Sequence, residues 1–165
     1  MSTFTGKDIC DKINTKENLI MHISTKCSVA IHCLVFIHEY GNTHKVTSAL
    51  LSESSGVNSV TIRNILSALK KNGIISIKAG TGGATLNCPL PEITLYRICK
   101  AIEPDFTAKL IGIHTQPSSL CPVGKNIHTV LGSSYRKIQD DLCHSLEQIT
   151  LAEIIADYHQ SLQED

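Results

Sequence analysis

The segment Asn58–Lys71, "NSVTIRNILSALKK", most constrains the fold because its apolar and polar residues separate onto two sides of one helix. At about 100° per residue, four apolar residues share one side, namely Ile62, Ile65, Leu66 and Leu69. The opposite side carries a mixed and mainly polar set, namely Val60, Arg63, Asn64, Ser67 and Lys71. Gly73 follows at a position where a left-handed residue commonly ends a helix. The segment therefore predicts a helix that packs one face on a core and presents the other face outward.

The elements around this helix predict a helix-turn-helix followed by a hairpin. Upstream, Thr47 or Ser48 can cap a short helix, and "SSGV" then forms a turn. Downstream, the strands "IISIKA" and "ATLNC" are joined by "GTGG", whose glycines permit a tight hairpin. A further helix at Thr25–Tyr40 precedes these elements and ends at Gly41-Asn42. The series predicts a mainly α fold with a small β-hairpin, which is the plan of a winged helix-turn-helix.

The C-terminal half predicts a region built around a long helix. A helix at Glu92–Ile102 and a loop at 103–121 lead into a helix from about Pro122 to Ile149, since proline is tolerated at the first helical position. "TLAE" at Thr150–Glu153 is a capping box that starts a short helix, after which the tail "SLQED" is expected to fray.

Three regions follow from this pattern. Residues 1–20 form an N-terminal extension, either a flexible arm or a short extra helix; residues 21–91 form the winged helix-turn-helix domain; and residues 92–165 hold the linker helix, the loop and the long helix. Hydrophobic residues make up 42% of the chain, which is enough for a globular core. The sequence shows no apolar run near the ~18 residues of a membrane-spanning helix and no signal peptide. We expect a cytoplasmic protein with no membrane partner.

Charge is distributed unevenly along a chain whose formal net charge is zero. Residues 21–91 carry six basic and two acidic residues, a net charge of +4, whereas residues 92–165 carry six basic and ten acidic residues, a net charge of −4. A basic first half suggests one surface for a polyanion and another for protein contacts, and ordinary scatter of surface charge is the alternative interpretation.

A winged helix-turn-helix binds DNA by placing its second helix in the major groove and its wing along an adjacent groove. On the outward face of that helix, Arg63 can pair with guanine and Asn64 with adenine, while Val60 can contact a thymine methyl group. The alternative is that this face is only the solvated side of an amphipathic helix. The candidate residues for double-stranded DNA are Lys45, Thr47, Ser48, Ser59, Val60, Thr61, Arg63, Asn64, Ser67, Lys71, Lys78 and Thr81.

The long helix carries an apolar seam with successive spacings of 4, 4, 3, 4, 4 and 3 residues, close to about 3.67 residues per turn. Such a seam can dock within its own chain or pair with a second copy, and a protein that reads a palindrome with two-fold symmetry requires the second arrangement. We therefore expect a homodimer. The candidate dimerisation residues are Ile127, Leu131, Tyr135, Ile138, Leu142 and Leu146, and the seam ends at Ile149.

The ordered series of segments resembles the Rrf2 family of bacterial transcriptional regulators. The matching segments are "MHISTKCSVAIHCLVFI", "VTSALLSESSGVNSVTIRNILSALKKNGII", "GTGGATL", "PEITLYRICKAIE" and "CPVGKNIHTVLGSSYRKIQDDLCHSLEQITLAEII", which together cover most of Met21 to Tyr158. The "CPVG" motif resembles a branch of the family that lacks a metal cluster. The resemblance implies a homodimer with crossing long helices, operator binding by the segments 58–71 and 78–83, and repression as the usual outcome.

Some members of this family hold an iron–sulfur cluster with three closely spaced cysteines in the loop before the long helix. Here that loop contains only Cys121, and Cys88 and Cys99 lie 33 and 22 residues before it. Because thiolates are the usual ligands of such clusters, the spacing argues against a cluster, and we expect no cofactor.

Cys121 has three further interpretations. At a helix start, the helix dipole favours its thiolate, so Cys121 could sense redox state, or it could be a small inert residue. A thiol-dependent enzyme would need His114 or His128 as its base, but His128 lies about 10 Å along the helix and no third orienting group is evident. Cys143 and His144 point to different faces, and no spacing resembles a zinc site. We expect neither catalysis nor a metal.

Overall fold

The computed structural model describes residues 23–78, 83–109, 111–112, 114 and 116–164. Its helices are α1 (Thr25–Tyr40), α2 (Ser48–Ser55), α3 (Ser59–Lys71), α4 (Leu95–Ile102), α5 (Phe106–Lys109), α6 (Pro122–Gln148) and α7 (Leu151–Glu164), with one 3₁₀ turn at Leu90–Glu92. Two strands, β1 (Ile75–Ile77) and β2 (Ala84–Leu86), pair antiparallel. The prediction of a mainly α fold with a small hairpin is confirmed.

Side-chain caps fix where the two helices of the helix-turn-helix begin. The Thr47 hydroxyl accepts a hydrogen bond from the Leu50 N–H at 3.3 Å, and the Asn58 carboxamide oxygen accepts one from the Thr61 N–H at 2.9 Å. Each bond satisfies a backbone donor that the first turn of a helix leaves unpaired. Gly73 lies just beyond the end of α3 with φ +69°, as predicted, and this left-handed conformation turns the chain into β1.

The wing is tied to the segment that precedes α2. The Ala84 N–H donates to the Val46 carbonyl oxygen at 3.1 Å. A Cβ atom at Gly83 would lie 2.5 Å from the backbone nitrogen of Val46, so only glycine permits this approach. The close contact holds the wing beside the helix-turn-helix.

The main hydrophobic core joins the winged helix-turn-helix to both α4 and α7. It buries apolar residues of α1, α2, α3 and the hairpin together with Ile98 of α4 and Leu151 and Ile155 of α7. Backbone hydrogen bonds Leu151 N to Ile93 O (2.8 Å) and Leu95 N to Ile149 O (2.9 Å) close the chain back onto this core. The main hydrophobic core therefore contains residues from both of the predicted regions that meet at residue 91.

A second, smaller cluster connects the end of α6 to the rest of the chain. Cys27 of α1, Cys99 of α4, Phe106 of α5 and Leu146 of α6 are buried in it together. The Gln139 side chain adds a hydrogen bond to the Thr107 carbonyl oxygen at 2.7 Å. The C-terminal part of α6 is thereby fixed against α4 and α5.

Three predicted boundaries were wrong. The helix predicted from Glu92 begins at Leu95, because Thr94 caps it and a separate 3₁₀ turn precedes it. The predicted loop 103–121 contains α5, whose Phe106 is buried. The tail predicted to fray stays helical to Glu164, since Ile155 is buried and His159 pairs with Glu39.

The predicted capping box before α7 is confirmed. The Thr150 N–H donates to the Glu153 carboxylate at 2.8 Å, and the Glu153 N–H donates to the Thr150 hydroxyl at 3.3 Å. The predicted N-terminal extension at 1–20 lies outside the described residues. Within the described ranges, none of the helices is both long and apolar enough to cross a membrane.

Candidate nucleic-acid interface

Helix α3 separates its faces as its sequence predicts. All four residues of the predicted apolar side are buried, namely Ile62, Ile65, Leu66 and Leu69. Val60 is 57% exposed. The other members of the opposite side, Arg63, Asn64, Ser67 and Lys71, are exposed as well. The predicted orientation of α3 is therefore confirmed, and its outward face is available to a ligand.

A cleft of about 480 Å³ runs between α3 and the wing, and we call it the basic cleft. Arg63, Ser67 and Lys70 of α3 form one wall, each about one helical turn from the next. The other walls come from the segment before α2, α2 itself and the wing, through Lys45, Val46, Thr47, Ser48, Ile77, Lys78, Gly83 and Ala84. Of the described residues that line the cleft, four are basic and none is Asp or Glu, which favours a polyanion there.

A second groove lies along the other flank of α3. Thr61, Asn64 and Ala68 line it together with Lys26 from the first turn of α1. Asn64 and Arg63 therefore point to opposite flanks of the outward face. A nucleic acid that follows α3 would meet basic side chains on both flanks, Lys26 on one and Lys70 on the other.

Not every candidate residue lies in the basic cleft. Lys71 is exposed on α3 but does not line the cleft, whereas Lys70, which the sequence analysis omitted, does. Ser59 is half-buried in the first turn of α3. The Thr47 hydroxyl is occupied as the cap of α2. Thr81, another of the candidate residues for DNA, lies outside the described residues.

In the structure, the predicted dimerisation residues of α6 fall into two sets. Leu146 is 5% exposed and packs in the second cluster of its own chain. Leu142 packs partly on the same cluster, and Tyr135 faces Ala108 and Ile111 across a groove. All three residues face their own chain. The sequence did not show this, because helical spacing alone does not distinguish an internal partner from a second copy.

The remaining apolar residues of α6 form what we call its outer face, which comprises Val123, Ile127, Val130, Leu131 and Ile138. Val123, Val130 and Ile138 are 68%, 63% and 48% exposed. Ile127 and Leu131 are half-buried. Within α6, all of which the structure describes, Leu146 is the only buried residue. A 27-residue helix thus carries an apolar surface that the described part of its own chain leaves uncovered.

The cysteines are dispersed over the fold. The Cys27 thiol hydrogen-bonds to the Cys99 sulfur inside the second cluster, which raises the pKa of Cys27 and lowers that of Cys99. Burial raises the pKa of Cys33 to about 11. Cys88 lies beside the wing, where its thiol donates to the Gly73 carbonyl oxygen at 3.2 Å.

Cys121 precedes α6 and is the only exposed cysteine among those that the structure describes. Its side chain accepts no hydrogen bond from the first turn of α6. His128 points elsewhere, with its Nε2 atom 2.7 Å from the His114 carbonyl oxygen. Among the described residues, His, Cys, Asp and Glu side chains form no group of three that could hold a metal ion.

Known proteins share both this sequence pattern and this fold. The family model Rrf2, described as an iron-dependent transcriptional regulator, matches residues 23–157. YwnA of Bacillus subtilis (strain 168), which is named as a helix-turn-helix-type transcriptional regulator, is 29% identical over 133 residues, covering 81% of this chain and 96% of YwnA.

Two solved structures illustrate the likeness in three dimensions. A protein from Lactobacillus plantarum, described as a transcriptional regulator, superimposes with a TM-score of 0.66 at 27% identity, covering 84% of this chain and 97% of its own. CymR of B. subtilis, described as the global cysteine regulator, superimposes with a TM-score of 0.60 at 16% identity, covering 82% and 96%. At that identity the second likeness concerns the fold alone.

Proposed function

The chain belongs to the Rrf2 family of transcriptional regulators, and we propose that it is a homodimeric repressor that binds a palindromic DNA operator in a sequence-specific manner. Its relatives are transcriptional regulators with a DNA-binding fold, which act by binding rather than by catalysis. The observation that carries the proposal is the exposed face of α3 with the basic cleft beside it. Base edges would be read by that face, and phosphates would be held by the basic side chains on its flanks.

Each residue of the interface has a distinct role in this proposal. Arg63 would donate two hydrogen bonds to a guanine edge, and Asn64, on the opposite flank, would pair with an adenine. Lys70 and Lys78 would contact phosphate oxygens from the two walls of the basic cleft. The backbone N–H groups at the start of α2 would hold another phosphate, as helix N-termini do.

The outer face of α6 supports the homodimer. Burying its apolar residues against a second copy would remove them from water, and a two-fold arrangement would present two α3 helices to DNA at once. The two half-sites of such an operator are expected one helical turn apart, about 34–36 Å, or a multiple of that distance.

The test is selection of bound duplexes from a random library, followed by binding measurements at several salt concentrations. The proposal expects a two-fold symmetric consensus that binds at least about 1,000-fold more tightly than unrelated DNA. Transcription from a promoter carrying the consensus should fall when the protein is added. Binding of all duplexes with equal, strongly salt-dependent affinity would contradict sequence-specific recognition.

The cysteines that the structure describes do not fit an iron–sulfur cluster, although the family model is described as iron-dependent. Cys121 is exposed before α6, Cys99 is buried against Cys27, and Cys88 lies beside the wing. Three thiolates on one cluster would require these residues to converge. We therefore propose that this chain regulates transcription without such a cluster. Purified protein with bound iron and acid-labile sulfide in a fixed ratio would contradict this.

A second candidate is a redox-sensing regulator in which Cys121 is the reactive thiol. The favouring observation is its exposure at the point where the loop enters α6. Cys121 should then react with iodoacetamide at neutral pH far faster than Cys33, whose raised pKa and burial keep it protonated. Peroxide should change DNA binding of the native chain but not of Cys121→Ser. Equal labelling of all thiols would remove this candidate.

A further inference from the structure

A cavity of about 400 Å³ lies between α1 and α7, on a surface separate from the DNA-facing side of α3. Its residues come from three elements and comprise His32, Val35, Phe36, Glu39 and Tyr40 of α1, Ser54 of α2, and Ile154 and Tyr158 of α7. The volume falls within the range of ~300–1,000 Å³ that is usual for small-molecule sites. We call this space the aromatic cavity.

Three aromatic rings dominate its lining. The Phe36 and Tyr40 rings have centroids 4.7 Å apart on successive turns of α1. Tyr158 faces them from α7 across the cavity. A phenol with the ordinary pKa of tyrosine is uncharged at neutral pH, and desolvation, followed by the neighbouring Tyr40 and Glu39, raises the pKa of Tyr158 further. Neutral aromatic faces carry negative electrostatic potential and attract cations.

The charge of the lining has one sign. Among the residues that the structure describes, Glu39 is the only one in the lining with a formal charge at neutral pH, and no Lys or Arg is present there. Its carboxylate contacts the His159 ring nitrogen at 2.8 Å. The other polar pair, His32 and Ser54, is joined by a hydrogen bond of 2.9 Å. An incoming cation would therefore meet one carboxylate and three rings.

We propose that the aromatic cavity binds a small organic cation, an ammonium compound with an aromatic or branched apolar body. The rings and Val35 and Ile154 would bury the apolar body, and Glu39 would face the positive charge. An anion would be repelled by Glu39, and a neutral ligand could at most donate a hydrogen bond to it, without the attraction between opposite charges.

The position of the aromatic cavity gives such a ligand a route to the DNA-binding surface. It would contact α7, α1 and the end of α2, whose start borders the basic cleft. A ligand that prefers one arrangement of these helices would shift the affinity for DNA by its preference for that arrangement. This regulatory step rests on the proposed function, whereas the binding site itself does not.

The test uses isothermal titration calorimetry of the full chain without DNA and three probes of similar shape. Benzyltrimethylammonium is expected to bind at least about tenfold more tightly than benzyl alcohol, and benzoate is expected not to bind. Equal binding of the cation and the alcohol would overturn the proposal. Failure of all three to bind, as when a second copy of the chain covers the cavity, would also overturn it.

Single substitutions test whether the cation binds in the aromatic cavity. Glu39→Gln and Tyr158→Leu should each weaken binding of the cation by about fivefold or more, while Tyr158→Phe, which keeps the ring, should stay within about threefold. Asp157→Asn is the matched control, since Asp157 neighbours Tyr158 but does not line the cavity. Circular dichroism confirms that each variant is folded. Unchanged affinity in Glu39→Gln would show that the probe binds elsewhere and overturn the proposal.

DNA binding is measured separately, first without the probe and then with it. A protein that binds benzyltrimethylammonium but no DNA would retain the site and lose the proposed function. A protein that binds its consensus DNA but not the probe would retain the proposed function and lose the proposed cation site. The two failures are thus distinguishable.

Discussion

Helices α3 and α6 are both amphipathic, but they differ in what covers their apolar side. The 13-residue α3 buries Ile62, Ile65, Leu66 and Leu69 in the core of its own chain. The 27-residue α6 buries only Leu146 and leaves Val123, Val130 and Ile138 largely exposed. Because most helical stability in proteins comes from packing of the apolar face, α3 is held by its own chain whereas α6 requires something further.

This difference assigns the two helices different partners. With its apolar side buried, α3 has a mainly polar and basic face left exposed, which suits a charged and hydrogen-bonding ligand. The face that α6 leaves open is apolar, which suits a second apolar surface. The charge of the chain agrees with this difference, because α3 lies in residues 21–91, which carry a net charge of +4, and α6 lies in residues 92–165, which carry a net charge of −4.

Substitution of a core residue of α3 should have the largest effect. Leu69 has no exposed surface, so Leu69→Ala leaves a cavity in the main core and should lower the free energy of unfolding by about 2–5 kcal/mol. Urea denaturation at fixed protein concentration measures this loss. Leu162→Ala on α7 is the control, because Leu162 is 57% exposed and should change stability by less than about 0.5 kcal/mol. Similar losses in both variants would contradict the described packing of α3.

On the outer face of α6, a charge should separate the two copies rather than unfold either one. Val130→Glu would bury an unpaired carboxylate in the proposed interface and should raise the dimer dissociation constant at least about 100-fold. Sedimentation equilibrium measures the constant. The control is Leu162→Glu, which places the same charge on an exposed apolar residue of α7. An unchanged dimer in Val130→Glu would place the interface elsewhere.

Arg63 and Lys70 should affect DNA binding in different ways. Arg63→Ala should weaken binding to the consensus by about 1–3 kcal/mol and relax the preference at one base pair. Lys70→Ala should weaken all duplexes alike and reduce the salt slope of binding by about one. Fluorescence anisotropy across a salt series resolves the two effects, with Lys125→Ala at the exposed start of α6 as the control. Equal effects of Arg63→Ala and Lys125→Ala would contradict the interface.

The sequence was sufficient for the local features of α3. Its period of 3.6 residues separates the two faces, and Gly73 marks its end, because both depend only on neighbouring residues. Lys70 was also within reach of the sequence, since it lies seven residues after Arg63 and so on the same flank. Lys26 was not, because only the packing of α1 beside α3 brings it there.

For α6, the same reasoning was incomplete. Tyr135, Leu142 and Leu146 repeat at the same helical spacing as the outer face, but Leu142 and Leu146 pack on residues of α4 and α5, and Tyr135 lines a groove with Ala108 and Ile111. Sequence periodicity identifies an apolar stripe and does not identify its partner. The sequence also missed the helical end of α7, because the hydrogen bond between His159 and Glu39 joins residues far apart in sequence.

The helix starts give the smallest expected effect. Asn58 caps α3 with a hydrogen bond of 2.9 Å to the Thr61 N–H, whereas Cys121 at the start of α6 makes no such bond. Asn58→Ala should therefore cost about 1 kcal/mol of unfolding free energy, and Cys121→Ala less than about 0.5 kcal/mol, by urea denaturation under reducing conditions. An equal cost at both positions would mean that the Cys121 thiol supports the fold. A structural requirement would then explain why a cysteine lies where the loop enters α6, and a sensing role would not be needed to explain it.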